Sequence, residues 1–200
     1  PHVRRTPLWV LRSGELGLPG ADVEVWLKLE QLQVSGSFKA RGMFNRLLAQ
    51  PIPPAGVIAA SGGNAGIATA TAARALGVAA EIFVPTVISP AKRERLEKLG
   101  ATVVITGAAY ADALAACQQR QRESGALMTH AYDQPEVLAG AGTLAREIEQ
   151  QAGVPDALLV SVGSAFMFPR SWIAFGVLHG IALMLIGARQ LGLAILMHDA

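Results

Sequence analysis

The chain of 200 residues has one cysteine, Cys117, and four lysines, Lys28, Lys39, Lys92 and Lys98. A single cysteine excludes an internal disulfide framework and a cysteine-based zinc site. Tyr110, Leu114 and Cys117 fall at helical spacing, so Cys117 reads as a small core residue rather than a nucleophile. Charged residues make up only 16% of the chain, with a formal net charge of +2. No basic run exists, which argues against nucleic acid as a partner. The first residues, Pro1 to Leu8, lack an apolar signal region, and a cytoplasmic location is expected. Beginning at proline without methionine, the chain reads as a fragment or as one that has lost a short leader.

Apolar residues, in contrast, are plentiful. They reach 52%, and at this length they suffice for a core in one or two domains. Much of the excess lies after residue 165. Residues 23–29 alternate and read as a strand. The segment 38–49 reads as a helix. From Val57 a unit repeats: short apolar strand, loop, helix, glycine, next strand. Strands are predicted at 57–60, 80–84, 102–105, 127–129 and 158–162. Helices are predicted at 64–76, from Ser89-Pro90 to Gly100, at 109–124, and from Pro135 to about Ala152. Ser89 is read as an N-cap, with Pro90 at the first helical position. Short apolar runs alternating with helices predict an α/β fold, with parallel strands and helices on both faces. In such sheets ligands bind beyond the carboxyl ends of the strands.

Two stretches carry chemistry. The first is Ser35-Gly36-Ser37-Phe38-Lys39-Ala40-Arg41-Gly42, with a lysine at the start of a helix. A lysine forms a Schiff base only when its amine can be neutral, which needs burial or a nearby cation. Phe38 is placed to desolvate it. The second is Ser61-Gly62-Gly63-Asn64-Ala65-Gly66, a glycine-rich loop between a strand and a helix. Its backbone N–H groups make a carboxylate cradle, and Asn64 adds a side-chain amide.

Together these stretches resemble the serine/threonine dehydratases of the tryptophan-synthase-β-like (fold type II) pyridoxal-phosphate family. Supporting matches are Arg5-Thr6-Pro7-Leu8, Leu27-Lys28-Leu29-Glu30, Phe83-Val84-Pro85 and Ala139-Gly140-Ala141-Gly142-Thr143. They cover residues 1 to about 164 in order. The resemblance implies pyridoxal 5′-phosphate as cofactor. It implies Lys39 as the lysine that holds it and as the base for the substrate's α-proton. Phe38, Lys39 and Asn64 would contact the cofactor, with Asn64 bonding its 3′-oxygen. Ser61, Gly62, Gly63 and Ala65 would hold the carboxylate of a small amino-acid substrate. Val162, Gly163 and Ser164 would begin the phosphate loop. The implied reaction is β-elimination of L-serine or L-threonine to a 2-keto acid and ammonia. Racemases of the family carry a serine where this chain has Gly62, so racemisation is not expected. Ala65 replaces the family's common histidine. The resemblance also implies a homodimer through the larger domain, and domains at 1–35 (start of the large domain), 36–135 (small α/β domain) and 136–164 (return to the large domain).

The likeness stops after Ser164. The family's glycine run is replaced by Ala165-Phe166-Met167-Phe168-Pro169, which cannot build a phosphate nest. The family's later partner for the pyridine nitrogen and its later metal site have no counterpart, so no metal is expected. Residues 165–200 read as an apolar tail foreign to the family. Within it, 171–188 hold 18 positions without a formal charge, near the lower limit for a membrane span. Phe175 to Leu183 is similar to a segment of multi-pass membrane proteins related to heparan-α-glucosaminide acetyltransferase. Two other readings follow: a catalytically inactive fragment of such an enzyme, and a module tethered to a membrane through 171–188.

Overall fold

The computed structural model describes residues 2–17, 22–155, 157–160 and 193–199. Along the chain run β1 (Leu8–Arg12), β2 (Val23–Leu29), α1 (Lys39–Leu48), β3 (Val57–Ala60), α2 (Asn64–Leu76), β4 (Ala80–Val84), α3 (Pro90–Lys98), β5 (Thr102–Ile105), α4 (Tyr110–Ser124), β6 (Leu127–Thr129), α5 (Pro135–Ala152), β7 (Ala157–Val160) and β8 (Leu193–Asp199). They fall into two compact units, Pro1–Arg4 with Val34–Thr143, and Arg5–Gln33 with Leu144–Ala200.

The first unit is built on a parallel sheet in the order β5-β4-β3-β6. All four residues of β3 are buried, because helices cover both faces of the sheet. Val57, Ala59, Ile82 and Val84 face α1 and α2, where they meet Met43, Leu47 and Ala68. The alternate residues Ile58, Ala60 and Phe83 face α4 and meet Ala113 and Cys117. Cys117 is fully buried there, and burial pushes its thiol up to about 12, so it packs as a core residue. Gly77 and Gly125 close α2 and α4 with φ of 69° and 71°, the left-handed turn that glycine adopts without strain. Ser89 adopts the extended N-cap backbone, but its hydroxyl makes no capping bond. Pro90 at the first helical position and the Ser89 carbonyl, which accepts from the Lys92 and Arg93 N–H groups at 3.1 Å, start α3 instead.

Two glycines set how closely α1 approaches the first half of α5. A Cβ on Gly140 would lie 2.4 Å from the Arg41 carbonyl oxygen and 2.7 Å from Asn45 Cβ. A Cβ on Gly42 would lie 2.8 Å from the Val137 carbonyl oxygen. The two backbones therefore touch, and neither contact can yield by rotating a side chain. Gly140→Ala is expected to cost about 2–3 kcal/mol in urea unfolding. Gly142→Ala, whose Cβ would meet nothing within 4 Å, serves as the neutral control. Equal stability of the two variants would show that the helices can separate freely.

The second unit holds a sheet of another kind. Its sheet, β1-β2-β8-β7, is antiparallel at every pairing. Strands β1 and β2 are not separated by a crossover helix, so they pair back on each other. β1 escapes the sequence reading because its pattern does not alternate: the adjacent Trp9 and Val10 are both half exposed. β8 lies in the segment read as a tail outside the family, yet it pairs with β2 on one side and β7 on the other. Trp26 and Ile148 are buried together, with Leu8 and Leu144 packed against them. Beside them Lys28, fully buried, donates to Glu147 Oε1 and Gln151 Oε1, each at 2.6 Å, and to the Thr6 carbonyl at 2.7 Å. Glu30, also fully buried, accepts from Thr6 Oγ1 at 2.5 Å.

Val162 and the segment 171–188 lie outside the described residues. Among the described residues no helix is long and apolar enough to cross a membrane.

Candidate active site

Lys39 opens α1. The turn before it bends at Gly36, with φ of 78°, and Arg95 Nη2 fastens that turn by donating to the Ser35 carbonyl at 3.0 Å. Phe38 is the first residue to enter helical geometry. The Lys39 side chain turns inward and is only 7% exposed. Its Nζ donates to the Ala131 carbonyl at 2.7 Å and stands 4.9 Å from the centre of the Phe38 ring. Burial lowers its pKa from 10.5 to about 8. A substantial share of the amine is therefore neutral near pH 8, which a nucleophile or base requires. The folded chain holds this proton less tightly than the unfolded chain. The burial cost is present below pH 8 and is relieved as pH rises toward 10.5.

The glycine-rich loop begins where β3 ends. The Ser61 N–H donates to the Phe83 carbonyl at 3.1 Å, carrying the strand ladder one residue further. The Gly63 N–H then turns back to Ser61 Oγ at 3.3 Å, and α2 starts at Asn64. Gly66 is dictated by space: a Cβ there would lie 1.9 Å from the Ser61 carbonyl oxygen. The first N–H groups of α2 have no acceptor within the helix, so they are donors for an anion. Ser61, Gly62, Gly63 and Asn64 are half-buried, and Ala65 is buried in the cluster that also holds Ala40 and Met43 of α1. Gly62 faces Ile88: a Cβ on it would lie 3.3 Å from Ile88 Cδ1.

Strand order brings the two motifs together. β3 and β6 are neighbours in the sheet. The glycine-rich loop follows β3, and Ala131, which receives the Lys39 amine, follows β6. Both therefore stand at the carboxyl ends of adjacent parallel strands, where α/β sheets bind ligands. A buried amine with a depressed pKa beside a row of backbone donors suits an aldehyde-bearing anionic cofactor and a carboxylate. Val162, Gly163 and Ser164 lie outside the described residues.

Sequence reasoning did not find the Ala131 carbonyl, because a backbone acceptor leaves no mark in residue type. Nor did it find the hydroxyl pair Thr69–Thr129, at 3.0 Å, which ties α2 to β6. The polar run His130-Ala131-Tyr132-Asp133-Gln134 directly after a predicted strand was the available signal.

A family model described as pyridoxal-phosphate dependent enzyme matches residues 1–169. A second, heparan-alpha-glucosaminide N-acetyltransferase, catalytic, matches only residues 154–195. An L-threonine ammonia-lyase of Geobacter sulfurreducens is 40% identical over 168 residues, which are 81% of this chain and 40% of that protein. The maize serine racemase structure superposes with a TM-score of 0.74 at 26% identity, covering 92% of this chain and 52% of that one. A pyridoxal 5′-phosphate-dependent aspartate racemase superposes at 0.73 with 31% identity, covering 91% and 54%. The chain thus spans less than half of the curated relative and about half of each solved structure. With the lysine motif, the glycine-rich loop and the parallel α/β unit all in the matched region, the chain belongs to the family of pyridoxal-phosphate dependent enzymes.

Proposed function

We propose that this chain carries the lysine-bearing part of a pyridoxal-phosphate dependent ammonia-lyase. The reaction is the dehydration and deamination of L-serine or L-threonine to a 2-keto acid and ammonia. The observation that carries the reading is the Lys39 amine: buried, lowered to about 8, and at the same end of the sheet as the Ser61–Gly66 loop. Among named relatives, the L-threonine ammonia-lyase of Geobacter sulfurreducens supports the substrate class.

When bound, the cofactor supplies an electron sink for the pair left as the substrate's Cα–H bond breaks. Lys39 would hold the cofactor through its amine, and its Nζ, when free, would take the α-proton. Its lowered pKa leaves a substantial share of Nζ free to accept that proton near pH 8. The Ser61 hydroxyl and the backbone donors of Gly62, Gly63 and Ala65 would hold the substrate carboxylate. The Asn64 amide would orient the cofactor through its 3′-oxygen, and Phe38 would keep water from the amine. Val162, Gly163 and Ser164 would contribute to holding the phosphate. The β-hydroxyl would depart as water by taking up the proton that Lys39 Nζ had removed, and the released product would hydrolyse to keto acid and ammonia.

Gly62 favours elimination over racemisation. Racemisation needs a proton delivered to the face opposite the lysine, and glycine has none to give. Space for a larger residue is also tight against Ile88.

The test is visible absorbance on adding pyridoxal phosphate to the intact chain, fixed by borohydride as a mass increase on the Lys39 peptide. Lys39→Ala is expected to abolish both. Absence of both in the unaltered chain would overturn the reading. It would favour instead a chain that cannot hold the cofactor, a reading that the replaced glycine run after Ser164 also supports.

A further inference from the structure

The loop after β6 is more ordered by its own side chains than a simple connection requires. His130 Nδ1 accepts from the backbone N–H of Asp133 at 3.0 Å and of Tyr132 at 3.4 Å. Gln134 closes the loop from the other end. Its Oε1 accepts from the His130 N–H at 2.9 Å, and its Nε2 donates to the Met128 carbonyl at 3.1 Å. The His130 ring meets the Tyr132 ring edge to face at 4.7 Å between centres. Four hydrogen bonds from two side chains thus fix a span of five residues. Within that span the Ala131 carbonyl reaches out of the loop and receives the Lys39 amine at 2.7 Å.

We propose that His130 and Gln134 form a clamp that presents the Ala131 carbonyl as the docking acceptor for the free Lys39 amine. They are positioning residues: neither touches the amine, and both act through the carbonyl they hold. The inference rests on the reading of Lys39 as the reactive lysine. A lysine that alternates between holding a cofactor and standing free needs a defined place in the free state. A carbonyl is suited to that place, since it accepts from the amine and can never compete for its proton. It also favours the charged amine, and so opposes the burial that lowers the pKa.

The opposition gives the clamp a signature with a definite sign. Releasing the carbonyl removes an acceptor from a buried ammonium, so the Lys39 pKa falls. General loosening would admit water and raise it. The experiment is trace acetylation of the intact chain by acetic anhydride across pH, read by mass spectrometry on the Lys39 peptide. It needs no cofactor, so failure of the clamp and failure of the cofactor reading are separable. His130→Ala and Gln134→Ala are each expected to lower the Lys39 pKa by about one unit. His130→Asn is expected to restore it, because an asparagine oxygen can accept from N–H groups two and three residues on. If His130→Ala does not fold, Gln134→Ala carries the same measurement. An unchanged or raised pKa in the folded alanine variants, or no rescue by asparagine, would overturn the proposal.

Discussion

Gly66→Ala is expected to unfold the active-site loop and to cost the chain roughly 3 kcal/mol or more, a fall of roughly 10 °C in thermal midpoint. The added carbon would sit 1.9 Å from the Ser61 carbonyl oxygen, well inside contact distance, and would also press on Ile82 Cγ2 at 3.2 Å. Neither neighbour can step aside cheaply. Ser61 is held by the ladder bond to Phe83, and Ile82 is fully buried. The only relief is for α2 to move away from the end of β3, and that movement opens the donor row from Gly62 to Ala65. Stability and cofactor uptake should therefore fall together. Gly63→Ala separates the two effects. Its Cβ would meet only Ser61 Oγ, at 3.9 Å, so stability should hold. Gly66→Ala with unaltered thermal stability would show that the loop is not fixed by this contact.

The second large effect lies in the other unit. Glu147→Ala is expected to cost about 3–5 kcal/mol in urea unfolding, because it removes the carboxylate that the buried ammonium of Lys28 meets at 2.6 Å. Lys28 is fully buried, and Glu147 keeps only 12% side-chain exposure. Gln151 Oε1 and the Thr6 carbonyl would still accept from the amine, but neither carries charge. Two companions test the cause. Glu147→Gln keeps an acceptor and should lose less. The double variant Lys28→Met with Glu147→Leu removes both charges and should recover most of the loss. A cost for Glu147→Ala below about 1 kcal/mol would place the pair among weak surface contacts.

These two sites differ in how far the sequence revealed them. The Ser61–Gly66 loop was legible because its glycines and asparagine are local: strand, turn and helix start all fall within one short stretch. The same holds for the whole parallel sheet, where Gly77, Pro90 and Gly125 mark helix ends beside the residues they punctuate. Lys28 was not legible as a buried charge. Its partners Glu147 and Gln151 are 119 and 123 residues away, and nothing near Lys28 announces them. β1 was hidden because its Trp9 and Val10 break the alternation that marks a strand. β8 was hidden because its partners come from β2 and β7, so only tertiary pairing identifies it. Ala131 was hidden for another reason: its contribution is a carbonyl, which every residue has.

The position of β8 bears on the order in which the two units can form during synthesis. The sheet of the first unit draws its strands from residues 57–129, so its pairings can close while later residues are still being made. The sheet of the second unit places β8 between β2 and β7. Its first strands must wait, unpaired along one edge of β2, until residue 199 has left the ribosome. At a synthesis rate of about 5–20 residues per second, that wait lasts on the order of ten seconds or more. During it the open edge of β2 is a place where a nascent chain can pair wrongly or recruit a chaperone.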